Sequence, residues 1–201
     1  MNIILDKFYY DALDEVGNIG MGNATTALSQ LVGKSVSVSG SAFTLLGLNK
    51  ISSDSEYNRV GAIVKVVGDL NGGFLLMLNQ KHSESLSEML LEQHESDGYM
   101  RRSVLVEVAN ILAGAYYNSL SKFLDLSVIP SIPIISEGSP DDLLKKCSKH
   151  FNGKIEHVIG LTTLFEIESE DQYQSMSGDM YMLIDSISMK TILNRIDAMR
   201  T

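Results

Sequence analysis

Residues 11–18 read DALDEVGN and residues 103–110 read SVLVEVAN, so the chain writes one Glu-Val-x-Asn word twice, 92 positions apart. At that offset residues 11–36 align with 103–128 without a gap. Identities include Glu15/Glu107, Val16/Val108, Asn18/Asn110, Ile19/Ile111, Gly22/Gly114, Leu28/Leu120 and Ser29/Ser121. Solenoid periods run roughly 20–50 residues, so a repeat this long is not a solenoid unit. Two copies are instead expected to pool strands and pack helices as one pseudo-two-fold duplicated domain. That domain would span residues 1–201, with repeats of about 8–100 and 101–199.

The similarity continues beyond the aligned segment. Val60–Gly68 and Phe74–Leu78 are β-rich runs around Asp69-Leu-Asn-Gly-Gly, a hairpin turn signal because Asn-Gly readily takes positive φ. Val158–Ile167 and Met180–Ile184 hold the same place in the second copy, with Glu168–Asp179 expected as a longer polar connection. Helical patterns follow at Ser83–Glu92 and Ser188–Met199. Asp141–Gly153 reads as a short amphipathic helix or loop inserted in the second copy only. The fold class is α/β (α+β), each half running helix, extended segment, hairpin, helix.

On a helix, positions i, i+4 and i+7 fall within about 60° of one another. Asp11, Glu15 and Asn18 therefore share a face that continues through Gly22, Thr25 and Ser29, while Leu13, Gly20, Ala24, Ala27 and Leu31 lie behind. In the second copy Ser103, Glu107, Asn110, Gly114 and Ser121 share a face, with Leu105, Leu112, Tyr116 and Leu120 toward the core. The Gly one turn after each Asn leaves room for another backbone to approach. Solvated polar residues on a duplicated amphipathic helix are the plain account of one such pair. Yet interior Asn costs a helix roughly half a kcal/mol against Ala, so its presence in both copies calls for a cause other than helix stability.

The spaced pattern Asp/Ser-x3-Glu-x2-Asn-x22-Pro resembles the signature of the CheC-type chemotaxis phosphatases, a family that includes CheX and FliY. Ser103, Glu107, Asn110 and Pro133 match it throughout; Asp11, Glu15 and Asn18 match in the first copy, where Ser41 stands in the place of the proline. The resemblance covers nearly the whole chain. It implies a central antiparallel sheet with long helices bearing the motifs, and hydrolysis of the aspartyl phosphate on a CheY-like response regulator. By the family's example Asn18 and Asn110 orient the attacking water, while Glu15 and Glu107 pair with the regulator's cationic side chain. No cofactor of the chain's own is implied, since the regulator carries the Mg²⁺. Family members of this length often bind the receptor deamidase CheD, which makes CheD a candidate partner. The rival is a non-enzymatic adaptor, as in the FliM middle domain, which shares the fold type but is understood to lack the Glu/Asn pairs.

Other chemistries find little support. The formal charge of −9 with no basic patch argues against nucleic acid. No apolar run approaches the ~18–20 residues of a membrane span. The acidic Asp6 interrupts any signal-like start, and a single cysteine suits a reducing compartment, so a cytoplasmic location is expected. His82, His94, His150 and His157 lack ligand spacing for a metal. Cys147, beside Lys145 and Lys146, reads as a lone surface thiol.

Overall fold

The computed structural model describes residues 6–40, 44–46, 58–91, 98–151, 155–169 and 172–200. Among these, helix α1 (Lys7–Val32) leads to β1 (Val36–Gly40) and β2 (Thr44–Leu46). The hairpin β3 (Arg59–Gly68) and β4 (Gly72–Asn79) follows, then α2 (Gln80–Leu91). The second half repeats this order as α3 (Gly98–Leu124), β5 (Val128–Pro130), β6 (Ile134–Gly138), β7 (His157–Ser169), β8 (Gln172–Ile184) and α5 (Ser186–Asp197). An additional helix, α4 (Pro140–His150), lies between β6 and β7. Its counterpart interval in the first copy, 47–57, falls outside the described residues.

All eight strands form one antiparallel sheet ordered β1-β7-β8-β4-β3-β5, with β2 also on β7 and β6 also on β3. Exchanging each strand with its counterpart in the other copy returns the same order reversed. The pseudo-two-fold axis therefore runs between β8 and β4, joined through Leu75↔Tyr181 and its neighbours. Each copy gives its first strand away: β1 pairs with β7, Val36 opposite Ile167, and β5 pairs with β3, Val67 opposite Ile129.

The strands sort their side chains by the period of two. Phe74, Leu76 and Leu78 of β4 join Val60, Ala62, Val64 and Val66 of β3 beneath the helices α1 and α3. Leu75 and Met77 point to the opposite face, where Leu143, Leu144, Cys147 and Phe151 of the α4 region cover them. Two glycines permit that cover: a Cβ on Gly73 would collide with the Phe151 ring, and one on Gly61 would lie 2.9 Å from Leu143.

Several expectations need correction. Within Glu168–Asp179 the described residues, 168–169 and 172–179, are strand rather than connection, because β7 and β8 pair as a long hairpin that also supports β1. Along it Ser175 and Ser177 face solvent while Met176 is buried, so its polarity is one face of a strand. In the β3–β4 turn the positive φ of 120° belongs to Gly68 rather than to Asn71-Gly72. There the Asp69 carboxylate and N–H bind the backbone of Ser127, joining the turn to the start of β5. Cys147 is buried rather than exposed, because α4 places it on the same side as Leu143 and Leu144.

Helices α1 and α3 stop in the same way at equivalent positions. Gly33 is left-handed at φ 69° and Asp125, 92 residues on, at φ 52°. This conformation costs a residue with a Cβ roughly 1 kcal/mol. The compensating Asp125–Arg195 ion pair spans 3.6 Å with the Asp125 side chain 97% exposed, a setting in which pairs contribute little. Asp125→Gly should therefore stabilise the fold, by up to about 1 kcal/mol in urea denaturation. Burial pushes the Cys147 thiol up to about 12. The folded chain keeps that proton while an unfolded thiol loses it from about pH 8.5, so this contribution to stability is complete below that pH and is lost above it. A disulfide reagent at pH 8 should label Cys147 only as fast as the protein unfolds.

Candidate functional site

Helices α1 and α3 pack on each other over the sheet. A Cβ on Gly20 would lie 3.3 Å from the Tyr116 Cα, so this glycine sets how closely the helices approach. Three residues on, Asn23 Nδ2 donates to Ser119 Oγ at 3.2 Å. Leu31, near the end of α1, borders Ser103, Val104 and Glu107 near the start of α3. The helices thus run antiparallel, and the two Glu/Asn pairs lie toward opposite ends. From the contact register, Asn18 and Asn110 are roughly 12–20 Å apart along the pair at 1.5 Å per residue. They are too far apart to act on one water.

Glu15, Asn18, Glu107 and Asn110 are all exposed, whereas Val16, Val108 and Ala109 beside them are buried. The duplicated helix presents its amide and carboxylate outward because the apolar residues between them take the core. Gly22 and Gly114 also face open space, with nothing within 4 Å of an added Cβ, so within the chain it is Gly20 that admits a neighbouring backbone. Asp11 is exposed one turn before Glu15, and Ser103 donates its hydroxyl to the Tyr99 carbonyl at 3.1 Å. Pro133 is buried between β5 and β6; Ser41 lies outside the described residues.

The polar stripe of α1 divides in two. Its first half faces solvent, but Thr25 and Ser29 turn onto β1. Thr25 Oγ1 accepts from the Val38 N–H at 3.1 Å, and Ser29 Oγ accepts from the Val36 N–H at 3.1 Å. Leu31, expected in the core, is 50% exposed. The corresponding Ser121 hydroxyl has no partner among the described residues, so the second copy does not repeat this clamp.

Both motif helices are fastened at their first turns by residues that the repeat and its motif do not single out. On α1 the N-cap Asp6 accepts from the N–H groups of Phe8 and Tyr9 and pairs with Arg200 at 2.6 Å. The Arg200 guanidinium lies 4.6 Å from the Phe8 ring centre, and Tyr9 OH donates to Asp197 at 2.7 Å. The hydrogen bond from Arg200 draws the Asp6 carboxyl below its usual range. On α3 the Arg102 guanidinium donates to the Ile135 carbonyl of β6 at 2.7 Å. Only the Asp6 cap has a local signal; the other contacts join residues far apart in sequence. Among the described residues no group of three or more His, Cys, Asp or Glu is placed to hold a metal ion, and no helix is long and apolar enough to cross a membrane.

The CheC-like family model matches residues 10–39, and the model for the chemotaxis phosphatase CheX matches residues 60–154, so each Glu/Asn pair falls inside a match. The chain is thus similar to the CheC/CheX/FliY family along most of its length. It is 25% identical to the CheY-P phosphatase CheC of Bacillus subtilis, with 94% of this chain and 93% of that one aligned. It is 27% identical to the flagellar motor switch phosphatase FliY of the same organism over 77% of the chain, but spans only 45% of FliY's length. The crystal structure of Thermotoga maritima FliY superposes with a TM-score of 0.75 at 22% identity, covering 98% of this chain and 99% of that one. The FliM middle domain from H. pylori gives 0.64 at 12% identity, covering 95% and 99%. The fold is that of the CheC/FliY domain.

Because Ser29 and Thr25 hold β1 against α1, Ser29→Ala with Thr25→Val should lower stability by about 1–3 kcal/mol, from two lost hydrogen bonds and two unpaired strand N–H groups. Chemical denaturation measures it, with Ser121→Ala as the matched control expected to change little.

Proposed function

We propose that the chain is a CheY-P phosphatase with two separate sites, each a Glu/Asn pair presented on its own helix. The observation that carries this reading is the solvent exposure of all four side chains at equivalent positions of a duplicated helix pair. An acyl phosphate is already activated, and its carrier supplies Mg²⁺ and a cationic side chain. What remains is to hold a water in line with the phosphorus–oxygen bond. A neutral amide can do so, because its oxygen accepts from the water while its NH₂ donates to a phosphoryl oxygen. The neighbouring carboxylate, one helical turn away, can pair with the regulator's cation and so fix where the helix sits. Open space at Gly22 and Gly114 lets a partner's backbone come close along the same face.

The adaptor reading keeps the docking and drops the chemistry. It draws on the FliM-type likeness of the fold, and CheD remains a candidate partner under either reading. The two readings part at the asparagines: an adaptor tolerates their loss, a phosphatase does not.

Rates at independent sites add, so a single substitution can remove only its own site's share. The second copy has Pro133 between β5 and β6, where a fixed φ restricts the chain; the first has Ser41 at that place in the sequence. Asn110→Ala should therefore remove more activity than Asn18→Ala, and the double variant should fall by roughly 10²-fold or more. The measurement is single-turnover decay of radiolabelled phospho-regulator with Mg²⁺ present, after circular dichroism confirms folding. Decay at the uncatalysed rate with the unsubstituted protein, or full activity in the double variant, overturns the phosphatase reading.

A further inference from the structure

The two sites are not surrounded alike. Beside Glu107 a groove of about 310 Å³ is lined by Leu31, Leu90, Leu91, Tyr99, Met100 and Val104, with Ser103 and Glu107 on its wall. Tyr99 is 79% exposed, Leu31 50% and Met100 40%, an apolar cluster open to solvent. In the first copy the places of Tyr99 and Met100 are held by Lys7 and Phe8, 92 positions earlier. There the Arg200 guanidinium lies over the Phe8 ring at 4.6 Å. The first site is thus bordered by an ion-paired arginine lying over Phe8, the second by an apolar groove.

We propose that this groove is the docking pocket of the second site, taking apolar side chains of the phosphorylated response regulator that flank the cation paired with Glu107. The inference rests on the phosphatase reading and gives that site a source of affinity. An exposed carboxylate–cation pair contributes little to binding, because water screens it and two long side chains must be ordered. Stable contacts cover about 800 Å² on each partner and centre on an apolar anchor, commonly aromatic or Met. Glu107 and the groove share a wall, so a partner seated on the carboxylate covers the groove as well.

The test is a double substitution, Tyr99→Ala with Met100→Ala, placed in two backgrounds. With Asn18→Ala, which leaves only the second site, KM for the phospho-regulator should rise about tenfold with kcat unchanged. With Asn110→Ala, which leaves only the first, neither constant should move. Direct binding of a beryllofluoride-activated regulator, measured calorimetrically in a Glu15→Ala background, should weaken by a similar factor. Weakened binding in a protein that never accelerates dephosphorylation keeps the groove and removes the phosphatase reading. Unchanged binding, or an equal rise in KM in both backgrounds, overturns the groove. So does sedimentation showing a dimer of the parent chain that the substitution splits, since the groove would then belong to a second copy.

Discussion

Backbone pairing of β1 with β7 and of β5 with β3 is the interaction on which the remaining architecture depends. Neither copy can complete its own edge, because its first strand lies on the other copy's hairpin. The helices follow from this. Each motif helix must run from its own hairpin's side toward a strand held by the other copy, which sets α1 and α3 side by side and antiparallel. Gly20 then lets them close to backbone contact against Tyr116, and Asn23 ties to Ser119 across the seam. The outward direction of Glu15 and Glu107 is what remains once that buried side has been assigned.

Stability and function are partitioned along single helices. On α1, Thr25 and Ser29 saturate strand N–H groups, while Glu15 and Asn18, two to three turns earlier, have solvent before them. An element that is rigid through its second half can offer its first half as a fixed surface, which suits a chemistry of positioning rather than of nucleophilic attack. The clamps at Asp6–Arg200 and Arg102–Ile135 hold the other ends.

Much of this was legible in the residues. The 92-residue offset predicts the equivalence of α1 with α3 and of the two hairpins, and the 3.6-residue period places the Glu/Asn pairs outward. Of the helix or loop expected after Asp141, the described residues form the helix, Pro140–His150. What escaped was whatever depends on a partner distant in the chain. The stretches 168–169 and 172–179 are polar yet strand, because β7 and β8 pair there, while β1, from near the start of the chain, adds to β7 just before them. Thr25 and Ser29 share the motif's face but are taken up by a strand whose path no local pattern reveals. Leu31 looks like a core residue by spacing, and the structure leaves it at the rim of a groove. Cys147 looked solvent-facing beside two lysines, but helical phase outweighs immediate neighbours in deciding burial.

The palindromic strand order also bears on ancestry. A lone half with this topology has no place for its first strand except on a twin, so a free-standing ancestor of either half would have been a strand-swapped homodimer. Joining the twins in one chain replaces an encounter between molecules with one inside a molecule, at an effective concentration that dilution cannot lower. It also lifts the obligation of sameness. A homodimer must carry every substitution on both sides of its axis, whereas a fused pair can alter one side alone. Arg200 over Phe8 at one end, and solvent-exposed Tyr99 and Met100 at the other, are the marks of that freedom.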